Sequence, residues 1–210
     1  MTTQLVMLDF DGVIVDSLDV TFAAVARTLR EHSLGHLATR EAFLSFVDDN
    51  WYEGVTRAGV PAHVSTAIDS AVAEALAAQL TDLRVVPGMK ATIATLSASH
   101  TVVVITSNFS TFVSDFLEAN CVAGISRVLG ADEDVSKVRK IQSALSLLAR
   151  SNLGWYVGDT VGDIVEARTA GARSIAATWG WHPSDRLEAA FPTAVANAPR
   201  DLLSIIDEAR

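Results

Sequence analysis

Four carboxylates in this chain stand where carboxylates can act together. Asp9 and Asp11 close the segment Leu5-Val6-Met7-Leu8-Asp9-Phe10-Asp11-Gly12, and Asp159 and Asp163 follow Trp155-Tyr156-Val157 in Gly158-Asp159-Thr160-Val161-Gly162-Asp163. Both apolar runs read as buried strands, so the acids fall where the chain leaves a sheet. Side chains two apart on extended backbone share a face, and two anions there repel unless a cation or a proton is shared between them. Acids at two strand ends make a hard-oxygen site. Such ligands suit Mg²⁺, which keeps several waters and binds through one or two carboxylates plus substrate phosphate. Blander accounts stand beside this one: Asp11-Gly12 also reads as a turn after a strand, and Asp163 as a carboxylate favoured by the dipole at a helix start. Asp159 is the stronger metal candidate of the second pair.

Two further groups reach the same kind of position. Val102 to Ile105 runs into Thr106-Ser107-Asn108, which brings a hydroxyl and turn amides to a strand end, able to hold a phosphate or simply to make a routine turn. Lys137 opens an amphipathic helix, against the dipole's preference for anions there, and so calls for a local anionic partner. Lys140 is its rival, and solvation is the plain alternative for either.

The elements that must position these residues follow from apolar patterning. Short runs without alternation, at Leu5–Leu8, Val102–Ile105, Trp155–Val157 and Ser174–Ala177, suit strands buried on both faces of a parallel sheet. Ile141, Ala144, Leu145 and Leu148 form a helical stripe, as do Phe112, Val113, Phe116 and Leu117 after Ser110, a candidate N-cap. Strand and helix alternate from about Pro87 onward, the pattern of a βαβ fold with right-handed crossovers. Ser17 to Leu83 holds helical stripes, including an Ala-rich helix opened by Pro61, and no strand-like run. The expected fold is α/β: a Rossmann-like parallel sheet core flanked by helices, residues 1–16 and 84–210, with an inserted helical cap, residues 17–83.

Composition narrows the function classes. With 210 residues, 50% hydrophobic and 20% charged, the chain is globular and not disordered. A net charge of −9 with no basic stripe disfavours nucleic acid as a partner. One cysteine, Cys121, excludes an internal disulfide. With no long apolar run and no leader pattern at Met1 to Leu8, the expectation is a cytoplasmic protein without a membrane segment, a monomer or homodimer. The five histidines are scattered and read as packing or surface residues, with His182 bordering a strand end.

Taken in order, Asp9-x-Asp11-Gly12-Val13, Thr106, Lys137 and Gly158-Asp159-x-x-x-Asp163 resemble the four motifs of the haloacid dehalogenase superfamily of phosphohydrolases. The long gap after the first motif resembles its phosphoglycolate phosphatase-like branch, which carries a helical cap there. Further similarity lies in Asp16-Ser17, in Ala167-Arg168-x-Ala170-Gly171 and in Thr178-Trp179-Gly180-Trp181; Val138 departs from the proline usual after the lysine. The resemblance implies a Mg²⁺-dependent phosphatase acting on a small phosphorylated metabolite. Asp9 would be the nucleophile that forms an aspartyl-phosphate, and Asp11 the general acid and base. Thr106, Ser107, Asn108 and Lys137 would bind the phosphoryl group. The metal would be held by Asp9, the Asp11 carbonyl and Asp159, with Asp163 in support. Asp11 separates the chain from dehalogenases of similar fold. The alternatives are a phosphomutase of the β-phosphoglucomutase kind and a non-catalytic binding protein on the same fold. Within the cap, Asn50 to Glu53 are the nominated specificity residues.

Overall fold

The computed structural model describes residues 3–148 and 154–208. Its centre is β1 (Leu5–Leu8), all four of whose side chains are buried because both faces of the strand are covered. Strands β4 (Thr101–Ile105), β5 (Arg127–Leu129), β6 (Gly154–Gly158), β7 (Arg173–Ala177) and β8 (Ala194–Ala196) join it in the order β5-β4-β1-β6-β7-β8, all parallel. Val6, Leu8, Val102, Val104, Trp155 and Val157 face the layer of α5 (Met89–Ser97), α6 (Ser110–Ala119) and α10 (Asp201–Glu208). Leu5, Met7, Val103, Ile105 and Tyr156 face α7 (Lys137–Leu148) and α8 (Val161–Ala170), and Leu187 of the short α9 (Ser184–Glu188) packs with Ile164 of α8. This period-2 split between two apolar layers is why the strands read as unbroken hydrophobic runs. The four strands expected from the sequence are present. The outer strands β5 and β8 were not anticipated, because each spans only three residues and carries a partly exposed edge pattern. Ser110 is the first residue of α6 rather than its N-cap; its amide and hydroxyl bond Asp132, which satisfies the helix start from a distance. The side chain of Leu148 lies outside the described residues.

The chain leaves and re-enters the core through a two-stranded antiparallel ribbon, β2 (Val15–Asp16) with β3 (Arg84–Val85), also unanticipated at two residues per strand. Between them lie α1 (Leu18–Glu31), α2 (Arg40–Phe46), α3 (Trp51–Arg57) and α4 (Ala62–Ala78). These helices bury an apolar cluster of their own, including Val25, Leu29, Phe43, Phe46, Val55 and Ile68. The insert thus brings hydrophobic stabilisation of its own, while its Leu76 and Leu83 join the cluster of the core. Pro61 is the N-cap of α4, where its missing N–H goes unneeded. Among the described residues, no helix is long and apolar enough to cross a membrane.

The register explains where the chemistry sits. Leu8 pairs with Val104 on one side and with Val157 on the other. The loops that follow β1, β4 and β6 therefore emerge side by side, at the point where strand order reverses about β1. In open α/β sheets that crevice is where ligands bind.

Candidate active site

Asp9 is one residue past β1 and 5% exposed. Its Oδ1 accepts the Phe10 amide at 2.7 Å and its Oδ2 accepts Lys137 Nζ at 2.7 Å. Lys137, the first residue of α7, also donates to Asp163 Oδ1 at 2.7 Å. Burial pushes the Asp9 carboxyl up to about 8, with Lys137 pulling the other way. Burial also disfavours the lysine's charge, but Asp163 and Asp9 outweigh it and hold its pKa well above the ordinary value. This buried cation offsets the repulsion between Asp9 and Asp163, acids brought together from two strand ends. The pairing also supplies the anionic partner that a lysine at a helix start calls for. Lys140 goes elsewhere: its Nζ bonds the carbonyls of Thr106 at 2.6 Å and Gly130 at 3.2 Å, and burial, then Lys137, lowers its pKa to about 8.

Asp163, which the sequence left as either a metal-site acid or a helix-start carboxylate, takes the helix-start place and also holds a cation. It closes a capping box with Thr160 at the start of α8, Thr160 Oγ1 donating to its Oδ2 at 2.7 Å, and it holds Lys137. Burial opposes its charge, yet Lys137 and the Thr160 hydrogen bonds outweigh that and lower its pKa. Asp159 differs. Its Oδ2 accepts the Trp181 amide at 2.6 Å, while Oδ1 is buried and has no hydrogen-bond partner among the described residues. Burial first, and then the charges of Asp163 and Asp9, holds this carboxyl well above the usual range. Gly12, at φ +73°, turns the chain past it in a conformation that side chains rarely adopt, and a Cβ there would run into the Asp159 carboxylate.

One oxygen each from Asp9, Asp159 and Asp163 lie within 4.8 Å of one another. An unpartnered buried carboxylate oxygen within an all-oxygen cluster fits a hard divalent cation, whose charge would lower the pKa values that burial raises. The Asp11 carboxylate is not part of this cluster. Its Oδ1 accepts Ser17 Oγ at 2.6 Å and its Oδ2 accepts Asn108 Nδ2 at 2.6 Å, and burial raises its pKa against those two bonds.

These groups open on a cavity of about 150 Å³. Asp9, Asp11, Ser107, Asn108, Lys137 and Asp159 line it; Thr106 and Asp163 do not. Thr106 is fully buried behind the wall, where its Oγ1 accepts the Asn108 amide at 3.0 Å and so shapes the turn. The insert supplies the opposite wall, with Thr21 from α1, Asn50, Trp51 and Tyr52 from the start of α3, and Asp69 from α4. Of the four nominated insert residues, three line the cavity, while Glu53 is exposed and away from it. Burial raises the pKa of Asp69, which accepts Trp51 Nε1 at 3.1 Å.

Glu166, Thr21, Asp69 and Trp181 also line this cavity, and sequence reasoning assigned none of them to it. Glu166 is buried and accepts Asn50 Nδ2 at 3.0 Å, tying the insert to α8. Its signal was available: it lies three residues after Asp163, hence on the same helix face. Thr21 and Asp69 carried no comparable signal, since only tertiary packing brings α1 and α4 over the strand ends. His182 is buried, as its packing role requires, with Nδ1 accepting the Val161 amide at 3.0 Å and Nε2 at 2.8 Å from the Leu44 carbonyl of the insert.

Comparison with known proteins agrees with this geometry. Residues 6–177 match the family model described as haloacid dehalogenase-like hydrolase. A phosphoglycolate phosphatase of Synechococcus elongatus is 27% identical over 98% of both chains. An N-acetylmuramic acid 6-phosphate phosphatase of Pseudomonas aeruginosa is 25% identical over all of this chain and 97% of its own. Among solved structures, one described as a predicted phosphatase from Clostridium acetobutylicum superposes with a TM-score of 0.83 at 21% identity, covering 99% of this chain and 100% of that one. A match over most of the length, on a sheet whose strand ends carry this acidic cluster, makes the chain a member of the haloacid dehalogenase-like hydrolases and a phosphoric monoester hydrolase.

Proposed function

We propose that the protein is a Mg²⁺-dependent phosphatase that hydrolyses a small phosphorylated metabolite in the cytoplasm through an aspartyl-phosphate on Asp9, with residues 17–83 serving as a cap on a core formed by 1–16 and 84–210. The observation that carries this reading is the convergence of Asp9, Asp11, Lys137 and the unpartnered Asp159 Oδ1 on one small cavity. Asp9, held by the Phe10 amide and Lys137, is positioned to attack phosphorus and so to divide one difficult displacement into two easier ones. Asp11 is oriented by Ser17 and Asn108. It gives a proton to the departing alkoxide and later takes one from the attacking water, a role that a carboxyl with a raised pKa serves well. Lys137, the turn amides and Ser107 and Asn108 bind the phosphoryl oxygens, which matters because phosphoryl transfer depends mainly on positioning and charge stabilisation. Asp9 and Asp159, with the Asp11 carbonyl, would hold Mg²⁺, and Asp163 supports them through Lys137. When bound, the metal neutralises charge that would otherwise repel the substrate.

The test is direct. An aryl phosphate should be turned over with Mg²⁺, lose activity on exhaustive chelation and regain it when Mg²⁺ returns. Calcium, with its looser and higher coordination, should support far less turnover. Activity that persists after chelation overturns the metal assignment. Acid quenching during turnover, followed by mass spectrometry, should find one phosphoryl group on the peptide that contains Asp9.

Asp11→Asn should lower kcat by about 10² to 10⁴-fold, the usual weight of general acid–base catalysis. Inhibition by inorganic phosphate should survive, because the backbone carbonyl and Lys137 are untouched. Loss of both would point to a different role.

The cap is expected to work closed. The Gly162 amide donates to Val47 O at 3.1 Å, and a Cβ on Gly162 would meet Asp49 O at 2.5 Å and Val47 O at 2.9 Å. Gly162→Ala therefore drives this segment of the cap off α8. A displacement of about an ångström costs on the order of 10²-fold in a well-positioned site, and kcat/KM on a metabolite should fall on that scale. Unaltered kcat/KM would show that this contact does not matter to closure.

A further inference from the structure

The cavity is chemically uneven. Six of its lining side chains are carboxylic acids, and Lys137 is the one lysine or arginine among the lining residues, already bridging Asp9 and Asp163. Asp49 is paired with Arg57, and Glu166 accepts from Asn50. Among the described residues Asp69 has no ion-pair partner, and Trp51 Nε1 is its one hydrogen-bond donor.

Two other lining residues each carry a buried polar atom that has no hydrogen-bond partner among the described residues. The atoms are Thr21 Oγ1, on a residue 7% exposed, and the indole Nε1 of Trp181. Buried polar groups left unpaired cost free energy, and a bound ligand that pairs them recovers it. Each of the three groups asks for something specific. Indole N–H is a donor only, an ionised Asp69 is an acceptor only, and the Thr21 hydroxyl is both. A carboxylate on the ligand could accept from Trp181 and Thr21, but it would bring a second anion to Asp69 with no cation between them. An ammonium would suit Asp69 and offer nothing to Trp181. A hydroxyl donates and accepts.

We infer that the leaving group of the substrate is a neutral, hydroxylated carbon chain, and that Asp69, Thr21 and the Trp181 indole N–H select it over carboxylate-bearing phosphate esters. This rests on the phosphatase assignment and deepens it. It also separates the chain from relatives named for phosphoglycolate, whose leaving group carries a carboxylate.

The experiment compares matched esters that differ in one group. Glycerol 1-phosphate and 3-phosphoglycerate exchange a hydroxymethyl for a carboxylate, as do 2-hydroxyethyl phosphate and phosphoglycolate, and phosphoethanolamine supplies the ammonium. In the wild-type protein with Mg²⁺, kcat/KM for the hydroxylated member of each pair should exceed that of the carboxylated one by about tenfold or more. Asp69→Asn removes the charge at constant shape, and should shrink that ratio chiefly by raising kcat/KM for the carboxylated esters. Thr21→Val should lower kcat/KM for the hydroxylated esters, acting on KM more than on kcat.

Carboxylated esters hydrolysed as well as their partners by the wild type overturn the inference, with no variant required. So does a ratio that Asp69→Asn leaves in place, or phosphoethanolamine as the best substrate. An aryl phosphate run alongside separates the two levels: turnover of it with the wrong ester preference sinks the selectivity alone, whereas no turnover of any ester sinks the phosphatase assignment and this inference with it.

Discussion

Asp9→Asn is expected to abolish turnover, lowering kcat by about 10⁴-fold or more, as removal of a catalytic nucleophile does elsewhere, while the protein stays folded. The amide still offers an oxygen to the Phe10 N–H, and the position lies just past the end of β1 rather than among the apolar residues of the sheet. Burial disfavours the charge that the substitution removes, and Lys137 keeps its bond to Asp163. The melting temperature should therefore move little. The measurement is release of phosphate from an aryl phosphate together with a thermal unfolding curve. A kcat near the wild-type value would remove Asp9 from the role of nucleophile, and a collapsed unfolding transition would show that the site holds the fold together more than this geometry implies.

Lys137→Met should damage activity and stability at once. Methionine keeps the length of the buried stem but leaves Asp9 and Asp163 facing one another with no cation between them. Breaking a buried ion pair from one side costs about 3–5 kcal/mol, visible as a lower midpoint in urea. Loss of a charge aimed at the phosphoryl oxygens should lower kcat by about 10²-fold or more. Asp163→Asn in the same chain should restore part of the stability, because it removes one of the stranded anions, and none of the activity. Lys140→Met provides the comparison. That lysine bonds two backbone carbonyls, so its loss should cost markedly less activity, and the reverse ranking would move the phosphate-binding role to Lys140.

The central sheet was legible in the sequence because its inner strands are buried on both faces. A short run such as Val102 to Ile105, apolar and β-branched at every position, suits a strand covered on both sides, and carboxylates placed directly after two such runs announce a ligand crevice at the strand ends. Asp11-Gly12 was legible locally only as a turn; that a Cβ on Gly12, at φ +73°, would run into the Asp159 carboxylate is supplied by the tertiary structure. The helical insert was visible as a break in the alternation of strand and helix. Short elements were not. β5, β8 and the β2–β3 ribbon are held by pairing to neighbours already in place rather than by a pattern of their own.

Within the site, spacing along the chain nominated Asp9, Asp11, Lys137, Asp159 and Asp163 but could not apportion them. Lys137 and Lys140 are one helical turn apart on α7, and which of them reaches Asp9 depends on how that helix is set against the sheet. Asp163 proved to serve both the capping box and Lys137, which only the approach of α7 to α8 allows. Thr106 lies behind the cavity wall, with Ser107 and Asn108 at its surface, because the turn after β4 takes up the Thr106 hydroxyl for itself. The sequence by itself determined the sheet, the insert and the acids at the strand ends, since these follow from local hydrophobicity and from chemistry carried a few residues apart. Of the wall opposite them, the sequence nominated Asn50, Trp51 and Tyr52, and the tertiary structure decided the rest. Thr21 on α1, Asp69 on α4 and Trp181 in the segment after β7 lie far apart in the chain, and nothing local assigns to a shared cavity residues whose neighbours are set by the closing of one packed layer over another.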